Sequence, residues 1–498
     1  MSKTLLSKNI ENNLKNIKDR LKDCDDVIYR EFLVGERQTK KFVLIYVDGL
    51  IDKDIISDYV MESLMHQARE LPPSPATIKS SIYDLAKNRN IAVPEIKEFD
   101  DIDNTIENIL IGETVLLIDQ IKKSMVISSR GWPIRGITEP QSETVIKGPR
   151  DGFVETAKVN TTLIRRRFRD AKLKVKYMQL GERSKTDIAL MYIEDIVDNE
   201  VLKEVKDRLT SMKIDAVLES SYVEQMIEDS WVSPFPQVEV TERPDSVAAS
   251  LTEGRIAIVV DNTPTVLIVP ATLSMLLQSS EDYYFRWVVS SAVRILRYIA
   301  IPISLLLPSL YIAITSFHPG MLPTQLALYV AATRTGVPFP AFIEALIMEA
   351  TIELLREAGT RVSGPIGTTI SIVGGLVIGQ AAVEAGIVSP LTIIVVALTT
   401  IASFSLPSYS FSSGFRVLRF PIMLLSSVLG LYGITLGVII IISHLAGLKS
   451  FGVPYLAPYS SMFFMKDELK DTVIRPPLIF MRKRPKFFNI KDRTRIKK

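Results

Sequence analysis

The hydrophobic pattern divides the chain into two halves. Up to about residue 285, short apolar runs alternate with dense charge, whereas residues 290–447 contain long runs almost free of Lys, Arg, Asp and Glu. Such runs approach the length of about 20 apolar residues that is needed to cross a bilayer. The pattern predicts an α/β N-terminal cytoplasmic region of two subdomains, followed by an α-helical polytopic membrane domain. The expected boundaries are 1–150, 151–285, 286–448 and 449–498, the last being a basic cytoplasmic tail.

In the N-terminal half, runs of strand length alternate with amphipathic segments of helix length. The predicted strands are 41–47, 114–119, 124–129, 174–180, 187–193, 255–260 and 265–269. The predicted helices are 53–69, 161–171 with a cap at Asn160 and Thr161, 199–212 and 222–229. Residues 130–155 are rich in Gly and Pro, which predicts a connector between the subdomains. The acids Asp100, Asp101 and Asp103 lack the glycine and distal glutamate of a calcium loop and therefore indicate a surface turn.

The second half contains five hydrophobic segments, at residues 292–317, 322–357, 366–386, 390–406 and 420–445. The second segment is interrupted by Arg334, Gly336, Pro338 and Pro340, which predicts a discontinuous or in-plane helix. Basic residues precede the first segment, and the positive-inside tendency then places the N-terminal half in the cytoplasm. Five crossings would leave the basic tail outside, so we expect an even number.

Acidic residues set inside this apolar half form the main candidate site. At about 100° per residue, Glu349, Glu353 and Glu357 share one helical stripe, and Glu344 lies on a neighbouring face. Ionisable groups inside a membrane are costly unless they pair or face water, so they indicate an ion or substrate path. The alternative is an amphipathic interfacial helix, with Arg356 and Arg361 pairing with the acids at helical spacing. The two interpretations stay open.

The glycine-rich third segment holds a candidate gate and a packing motif. Ile366, Ile370 and Val373 recur on one helix face, and an apolar face at a pore axis can close it by dewetting. Gly375 and Gly379 are spaced to let two helices approach closely, which we favour over a glycine hinge.

A basic cluster follows the predicted connector. It consists of Arg165, Arg166, Arg167 and Arg169. Without interleaved aromatic residues for base stacking, and with a net charge of only +3, the cluster indicates contact with another subunit or with the membrane surface. We expect no nucleic-acid partner. The single cysteine and three scattered histidines form no metal-ligand pattern, and we expect no metal, no cofactor and no enzymatic motif.

Four long blocks of sequence carry a resemblance to a known family. They lie at residues 128–155 (SSRGWPIRGITEPQSETVIKGPRDGFVE), 160–170 (NTTLIRRRFRD), 336–361 (GVPFPAFIEALIMEATIELLREAGTR) and 370–390 (ISIVGGLVIGQAAVEAGIVSP). They resemble the A-subunit family of bacterial spore germination receptors, the GerA type, which includes the related SpoVAF branch. The resemblance extends over nearly the whole chain.

The resemblance implies a multi-pass protein of the spore inner membrane that triggers germination. It implies a homo-oligomeric ring, proposed to be a pentamer, that acts with a transporter-like B subunit and a lipoprotein C subunit as a nutrient-gated channel for monovalent cations. In such a ring the acids of each copy would form rings of carboxylates next to membrane lipid. A SpoVAF-type accessory channel that amplifies germination, a secondary transporter and a structural scaffold remain alternatives. A transporter would show paired halves, and the sequence shows no internal repeat.

Overall fold

The computed structural model describes residues 4–34, 40–57, 74, 76–77, 79–80, 96–131, 139–140, 143–361, 375, 378–460, 469, 471–485 and 488–496. The chain divides into two compact units. The N-terminal unit comprises residues 1–228, 238–270 and 483–498, and the helical unit comprises residues 229–237 and 271–482. A short loop and the end of the tail thus belong to a different unit from their neighbours in sequence.

In the described residues, the first part of the N-terminal unit is a five-stranded antiparallel sheet with two helices. Its elements are α1 (Ile10–Arg20), β1 (Val27–Val34), β2 (Lys40–Val47), β3 (Ile96–Phe99), α2 (Ile102–Ile111), β4 (Thr114–Ile118) and β5 (Ser124–Ile127). The strand order is β1-β2-β4-β5-β3. Strand β2 has buried apolar residues on both faces. On one face, Val43 and Ile45 pack against α1 and α2. On the other face, Phe42 and Leu44 belong to a second hydrophobic cluster.

The second part of this unit repeats that arrangement. Its elements are α3 (Ala157–Arg165), β6 (Leu173–Leu180), β7 (Thr186–Ile193), α4 (Asn199–Ser211), α5 (Ser220–Ile227), β8 (Glu239–Thr241), α6 (Pro244–Thr252), β9 (Ile256–Val260) and β10 (Val266–Val269). The strand order β6-β7-β9-β10-β8 is that of the first sheet with five added to each number. All the pairings in both sheets are antiparallel.

Equivalent hydrogen bonds show that the two sheets are copies of one fold. In α1, the Asn13 side chain accepts from the Ser7 N–H and donates to the Ser7 carbonyl, both at 2.8 Å. In α3, Asn160 accepts from the Val154 N–H at 2.8 Å and donates to its carbonyl at 2.5 Å. Both asparagines reach back six residues and sit at the fourth position of their helices.

A second matched pair ties each helix to its sheet. The carboxylate of Asp119, which follows β4, accepts from the Ile10 N–H at 3.4 Å. The carboxylate of Asp261, which follows β9, accepts from the Ala157 N–H at 2.8 Å. The N-terminal unit therefore contains an internal repeat that the sequence did not reveal.

Three predictions for this unit need correction. Helix α3 begins at Ala157 and ends at Arg165, not at 161–171, because Asn160 binds the preceding loop instead of capping the helix. Helix α5 covers Ser220–Ile227, two residues earlier than 222–229. Asp101 lies in no surface turn: it is buried and caps α2 by accepting from the Asn104 N–H at 2.7 Å. The predicted helix 53–69 lies mostly outside the described residues.

Over the described ranges, the helical unit contains one short helix at Leu273–Leu276 and six helices of eleven residues or more. These six are α7 (Trp287–Ser316), α8 (Thr324–Arg334), α9 (Ala341–Arg361), α10 (Pro390–Phe404), α11 (Tyr409–Leu429) and α12 (Leu431–Gly447). Within the described residues, α7 alone is long and apolar enough to span a membrane, while α10 and α12 are shorter apolar helices. The predicted interruption of the second segment is confirmed, since α8 and α9 are separate helices.

The predicted fifth segment is wrong as a single helix. The structure breaks it into α11 and α12 at Gly430, which adopts φ +58° and ψ −136°. A side chain there would be strained by this backbone conformation, and its Cβ would meet His318 at 2.9 Å. The two helices form an antiparallel hairpin in which a Cβ on Gly437 would meet Ile422 at 3.3 Å.

Contacts between the helices define their directions. Helices α7 and α11 run parallel, because Arg419 reaches the Ser304 carbonyl and Ser426 reaches the Ser309 carbonyl. Helices α9 and α10 run antiparallel to α7 and α11, and α12 runs antiparallel to α11. The Ser450 hydroxyl, just after α12, accepts from the Ala271 N–H at 3.0 Å and donates to the Gln237 carbonyl at 2.6 Å, and Ala271 precedes α7 by 16 residues. The helical unit therefore begins and ends at the same end, which we call the first end.

Candidate functional site

The first acid of α9 holds three helices together. Glu344 is fully buried, 3.1 Å from Arg334 at the end of α8. Its other carboxylate oxygen accepts from the Ser389 N–H at 2.9 Å and from the Thr392 hydroxyl at 3.0 Å. Tyr311 of α7 lies 3.1 Å from both hydroxyls. The Glu344 carboxylate therefore connects α9 to the end of α8 and to the start of α10.

The second acid forms a buried ion pair with α11. Glu349 has 0% of its surface exposed and binds the guanidinium of Arg419, which is itself 1% exposed. The Nε of Arg419 donates to the Ser304 carbonyl of α7 at 2.8 Å. The pair therefore connects the middle of α9 to α7 and α11, which run parallel to each other.

The third acid is less enclosed. Glu353 is half-buried and lies 3.7 Å from Arg356 one turn further along α9. Arg356 donates to the Ser403 hydroxyl of α10 at 3.3 Å, and its guanidinium lies 4.7 Å from the centre of the Phe404 ring. The fourth acid, Glu357, is exposed. Arg361 ends the helix, and its side chain lies outside the described residues.

The four acids therefore occupy a gradient of burial along α9 instead of one uniform stripe. The exposed face of the helix runs through Ile347, Ala350, Leu354 and Glu357, at spacings of three and four. Glu357 is the acid that shares this face. Glu344 and Glu349 have no exposed surface, so neither side chain can line an ion path in this conformation of the chain.

The candidate gate residues Ile366, Ile370 and Val373 lie outside the described residues. Gly375 and Gly379 are described. A Cβ placed on Gly379 would meet Ile393 of α10 at 3.8 Å, an ordinary contact. Against the described part of the chain, a Cβ on Gly375 would meet nothing within 4 Å. Within the described residues, Gly379 therefore has a neighbouring helix to pack against, whereas Gly375 has none.

The basic cluster is divided between the interior and the surface. Arg165 is 1% exposed; its Nε and Nη2 donate to the two carboxylate oxygens of Asp26 at 2.8 and 2.9 Å. Arg167 donates to both carboxylate oxygens of Asp151 at 2.8 Å. Arg166 and Arg169 are exposed. A contact with another subunit or with lipid is therefore open to these two, while Arg165 joins the two repeats of the N-terminal unit.

Comparison with known proteins places these features in a family. The model of the Bacillus/Clostridium GerA spore germination proteins matches residues 15–487. This chain belongs to the GerA family. It is 42% identical over 481 residues to spore germination protein GerLA of Bacillus cereus, covering 97% of this chain and 96% of the relative. It is equally similar to the uncharacterized membrane protein YfkQ of Bacillus subtilis, covering 96% of this chain and 91% of the relative.

A solved structure also matches. The N-terminal domain of the A subunit of the Bacillus megaterium spore germinant receptor GerK3 is 31% identical, with a TM-score of 0.44, and covers 55% of this chain and 99% of that chain. The predicted resemblance to the GerA family is thus confirmed over nearly the whole chain. It is a family of spore germination proteins and not a known family of enzymes.

The GerA chain contains a second buried charge cluster that the sequence reasoning missed. Arg294 and Arg297 of α7 both donate to Asp282 at 2.8 Å, and Arg294 also pairs with Asp471 of the tail at 2.7 Å. In the sequence, these arginines are among the basic residues that flank the first hydrophobic segment and indicate only its orientation. The available signal was Asp282, an acid just before an apolar run, but the pairing of Arg294 with Asp471, 177 positions later, left no trace in the local pattern.

Proposed function

We propose that this chain is the A subunit of a spore nutrient receptor and forms, as a homo-oligomeric ring, a nutrient-gated channel for monovalent cations in the spore inner membrane. The family match supports the receptor role. The observation that carries the channel proposal is the exposed face of α9, which places Glu357 at the end of an apolar stripe. Repeated around a ring, this carboxylate would concentrate cations at one mouth of a narrow apolar path.

In this proposal the buried acids keep α9 in place. Glu344 and Glu349 are neutralised by Arg334 and Arg419, so they would not attract a cation in the resting chain. Glu353 lies between the two environments. The ion path would therefore depend most on Glu357, next on Glu353, and least directly on the two buried acids.

The helix directions support an even number of crossings. Among the described helices, α7 and α11 lead away from the first end, while α9, α10 and α12 lead back to it. Because the described part of the helical unit begins and ends at the first end, an even number of crossings would place both the start of α7 and the segment after α12 on the cytoplasmic side. By family resemblance, a transporter-like B subunit and a lipoprotein C subunit complete the receptor.

The test is conductance of the full chain in planar bilayers, alone and with its B and C subunits. Glu357→Gln should lower single-channel cation conductance, while Glu357→Asp, which keeps the charge, should retain most of it. Equal conductance of the wild type and Glu357→Gln would contradict the assignment of this acid. The absence of discrete current steps in every preparation, with cation counter-flow instead, would favour a transporter.

A structural scaffold is the second candidate, and the fully buried Glu349–Arg419 pair favours it. Under this alternative the acids only join helices. Glu349→Gln would then reduce the amount of receptor in the membrane, and no acid on α9 would change conductance. An accessory channel of the SpoVAF type would conduct like the first candidate, but its loss would slow germination to all nutrients equally.

A further inference from the structure

The tail returns to the start of the membrane helix α7. The Ser291 hydroxyl in the second turn of α7 donates to the Arg475 carbonyl at 3.1 Å and accepts from the Arg475 N–H at 3.2 Å. The Arg475 guanidinium lies 5.6 Å from the centre of the Tyr283 ring. The residues that follow Arg475 are therefore held at the first end of the helical unit, where α7 begins.

Those following residues form a turn whose apolar side chains point outward. After Pro476 and Pro477, the segment Leu478–Phe480 makes a single 3-10 turn, with the Phe480 N–H donating to the Pro477 carbonyl at 2.9 Å. All three side chains are exposed, and Ile479 is 70% exposed. Three adjacent exposed large apolar residues are costly in water and indicate a surface that a partner covers. We call Leu478–Phe480 the tail turn.

A second loop places an aromatic residue at the same end. Phe235 packs between Phe411 and Phe415 of α11, and the Ser233 hydroxyl lies 2.9 Å from His444 of α12. Between α5 and this anchor lies Trp231, which is 87% exposed. Because α12 ends where α7 begins, Trp231 belongs to the first end of the helical unit as well.

The tryptophans have a common position. The chain has three, at residues 133, 231 and 287. Of these, Trp231 and Trp287 lie in the described part of the chain, and both are exposed at the first end. Tryptophan is enriched where a membrane protein meets the headgroup layer, since its ring is apolar while its N–H can bond to water or phosphate. Exposed basic residues lie at this end as well: Arg286, Lys449 and Arg482.

We propose that the tail turn and Trp231 insert into the headgroup layer of an anionic bilayer around the start of α7. Apolar side chains would enter the acyl boundary while Arg482 and its basic neighbours bind lipid phosphates, as interfacial anchors do. The anchor would tie the tail, and through Arg475 the start of α7, to the cytoplasmic leaflet. This inference rests on the proposed membrane position of the helical unit and adds a lipid contact outside its helices.

Spin labels on the full chain in phosphatidylglycerol nanodiscs test the anchor. In a Cys24→Ser background, single cysteines would replace Ile479 in the tail turn, Leu218 in the N-terminal unit and Ile439 on α12. All three native side chains are well exposed, at 70%, 62% and 63%. The label at 439 reports the lipid core, and the label at 218 reports water. The measurement is the ratio of collision with oxygen, which dissolves in lipid, to collision with a water-soluble nickel chelate.

We expect a ratio at 479 that is several-fold higher than at 218 and below that at 439. Arg482→Glu should lower it, and phosphatidylcholine nanodiscs should lower it as well. A ratio at 479 equal to that at 218 would overturn the anchor, and so would a label immobilised and shielded from both reagents, since protein would then cover the turn. If 439 also behaved as in water, the membrane position itself would fail. Cysteines at 478 and 480 repeat the measurement should Ile479→Cys not accumulate.

Discussion

Two buried ion pairs, one in each unit, show how differently the same chemistry can be used. In the N-terminal unit Asp26 binds Arg165 across the two repeats, and in the helical unit Glu349 binds Arg419 between two helices. Each side chain is at most 5% exposed. Both pairs bear the large desolvation cost of two charges, which only good geometry and further hydrogen bonds offset.

The further hydrogen bonds differ. Every nitrogen of the Arg165 guanidinium donates: two bind Asp26, and Nη1 donates to the Leu173 carbonyl at 2.8 Å. In the other pair, within the part of the chain that the structure describes, Arg419 Nη2 and Glu349 Oε1 have no hydrogen-bond partner. An unpaired buried polar group costs about 1–3 kcal/mol. The Asp26–Arg165 pair, which we call the lock, is thus fully hydrogen-bonded, whereas the Glu349–Arg419 pair is not.

The largest effect should come from breaking the lock. Asp26→Asn removes the counter-charge of Arg165, and removing one partner of a buried pair costs about 3–5 kcal/mol. Asp25→Asn is the matched control, because the neighbouring Asp25 is exposed: it pairs with Lys176 at 3.2 Å and accepts from the Tyr177 N–H at 3.1 Å. An exposed pair is worth about 0–1 kcal/mol, and Asn keeps an oxygen that can accept from the N–H. Urea unfolding of the full chain in detergent measures both. Similar losses for the two variants would contradict the role assigned to burial.

The second prediction asks whether the helical pair is replaceable. Glu349→Leu or Arg419→Met alone should reduce folded receptor in the membrane, because each leaves one buried charge. The double variant should recover to within about 1 kcal/mol of the wild type or exceed it, since apolar residues often replace a buried pair without loss. Pulse proteolysis in membranes gives the comparison. The corresponding double change at Asp26 and Arg165 should not recover, because Leu173 would lose its donor.

The third prediction uses pH to separate the units. Burial raises the pKa of Glu143 from 4.5 to about 7, although its carboxylate accepts from the Thr241 hydroxyl at 2.6 Å and the Glu242 N–H at 3.1 Å. A raised pKa means that folding favours the protonated acid. The stabilisation is therefore complete below about pH 4.5 and is lost as pH rises through 7.

One pKa unit is worth about 1.4 kcal/mol, so the whole loss is at most about 3.5 kcal/mol, and it is smaller because Glu143 is partly exposed. Hydrogen exchange at β8 in the full chain should quicken over this pH range beyond its intrinsic rise. Glu143→Gln should remove that excess, while exchange in α9 should not respond to the variant. An excess that persists in Glu143→Gln would assign the titration to another group.

The sequence predicted the interior strands far better than the edges. The interior strands β2, β4, β5, β7, β9 and β10 are rich in apolar residues and were predicted to within two residues. Of the four edge strands, β6 was predicted to within one residue, but β1, β3 and β8 were missed. Short length and exposed charge are usual at sheet edges, and no period-two pattern distinguishes these three strands from loops. The repeat was hidden for a related reason, since it is preserved in hydrogen bonds such as those of Asn13 and Asn160 and not in similar sequence.

For the candidate site, the sequence predicted the helix that bears the acids but not the partners of its buried members. The cost of burying a charge identified Glu344 and Glu349 as special residues. It could not identify Arg419, which lies 70 residues beyond Glu349 and pairs with it only because α9 and α11 run antiparallel. A continuous apolar run likewise concealed the turn at Gly430, which reverses the chain between α11 and α12.

The smallest expected effect lies beside the lock and tests how sharply burial divides the basic cluster. Arg165→Lys keeps the positive charge but cannot form the bidentate contact with Asp26, and the lost charged hydrogen bonds should cost about 1.5–3 kcal/mol. Arg169→Glu reverses an exposed charge four residues further on and should change the free energy of unfolding by no more than about 0.5 kcal/mol. If Arg169 contacts lipid or another subunit, this variant should weaken co-purification of tagged and untagged copies or flotation with anionic vesicles, with the unfolding midpoint unchanged. A destabilisation by Arg169→Glu as large as that by Arg165→Lys would mean that the whole cluster supports the fold, and the distinction between a buried lock and an exposed contact surface would be lost.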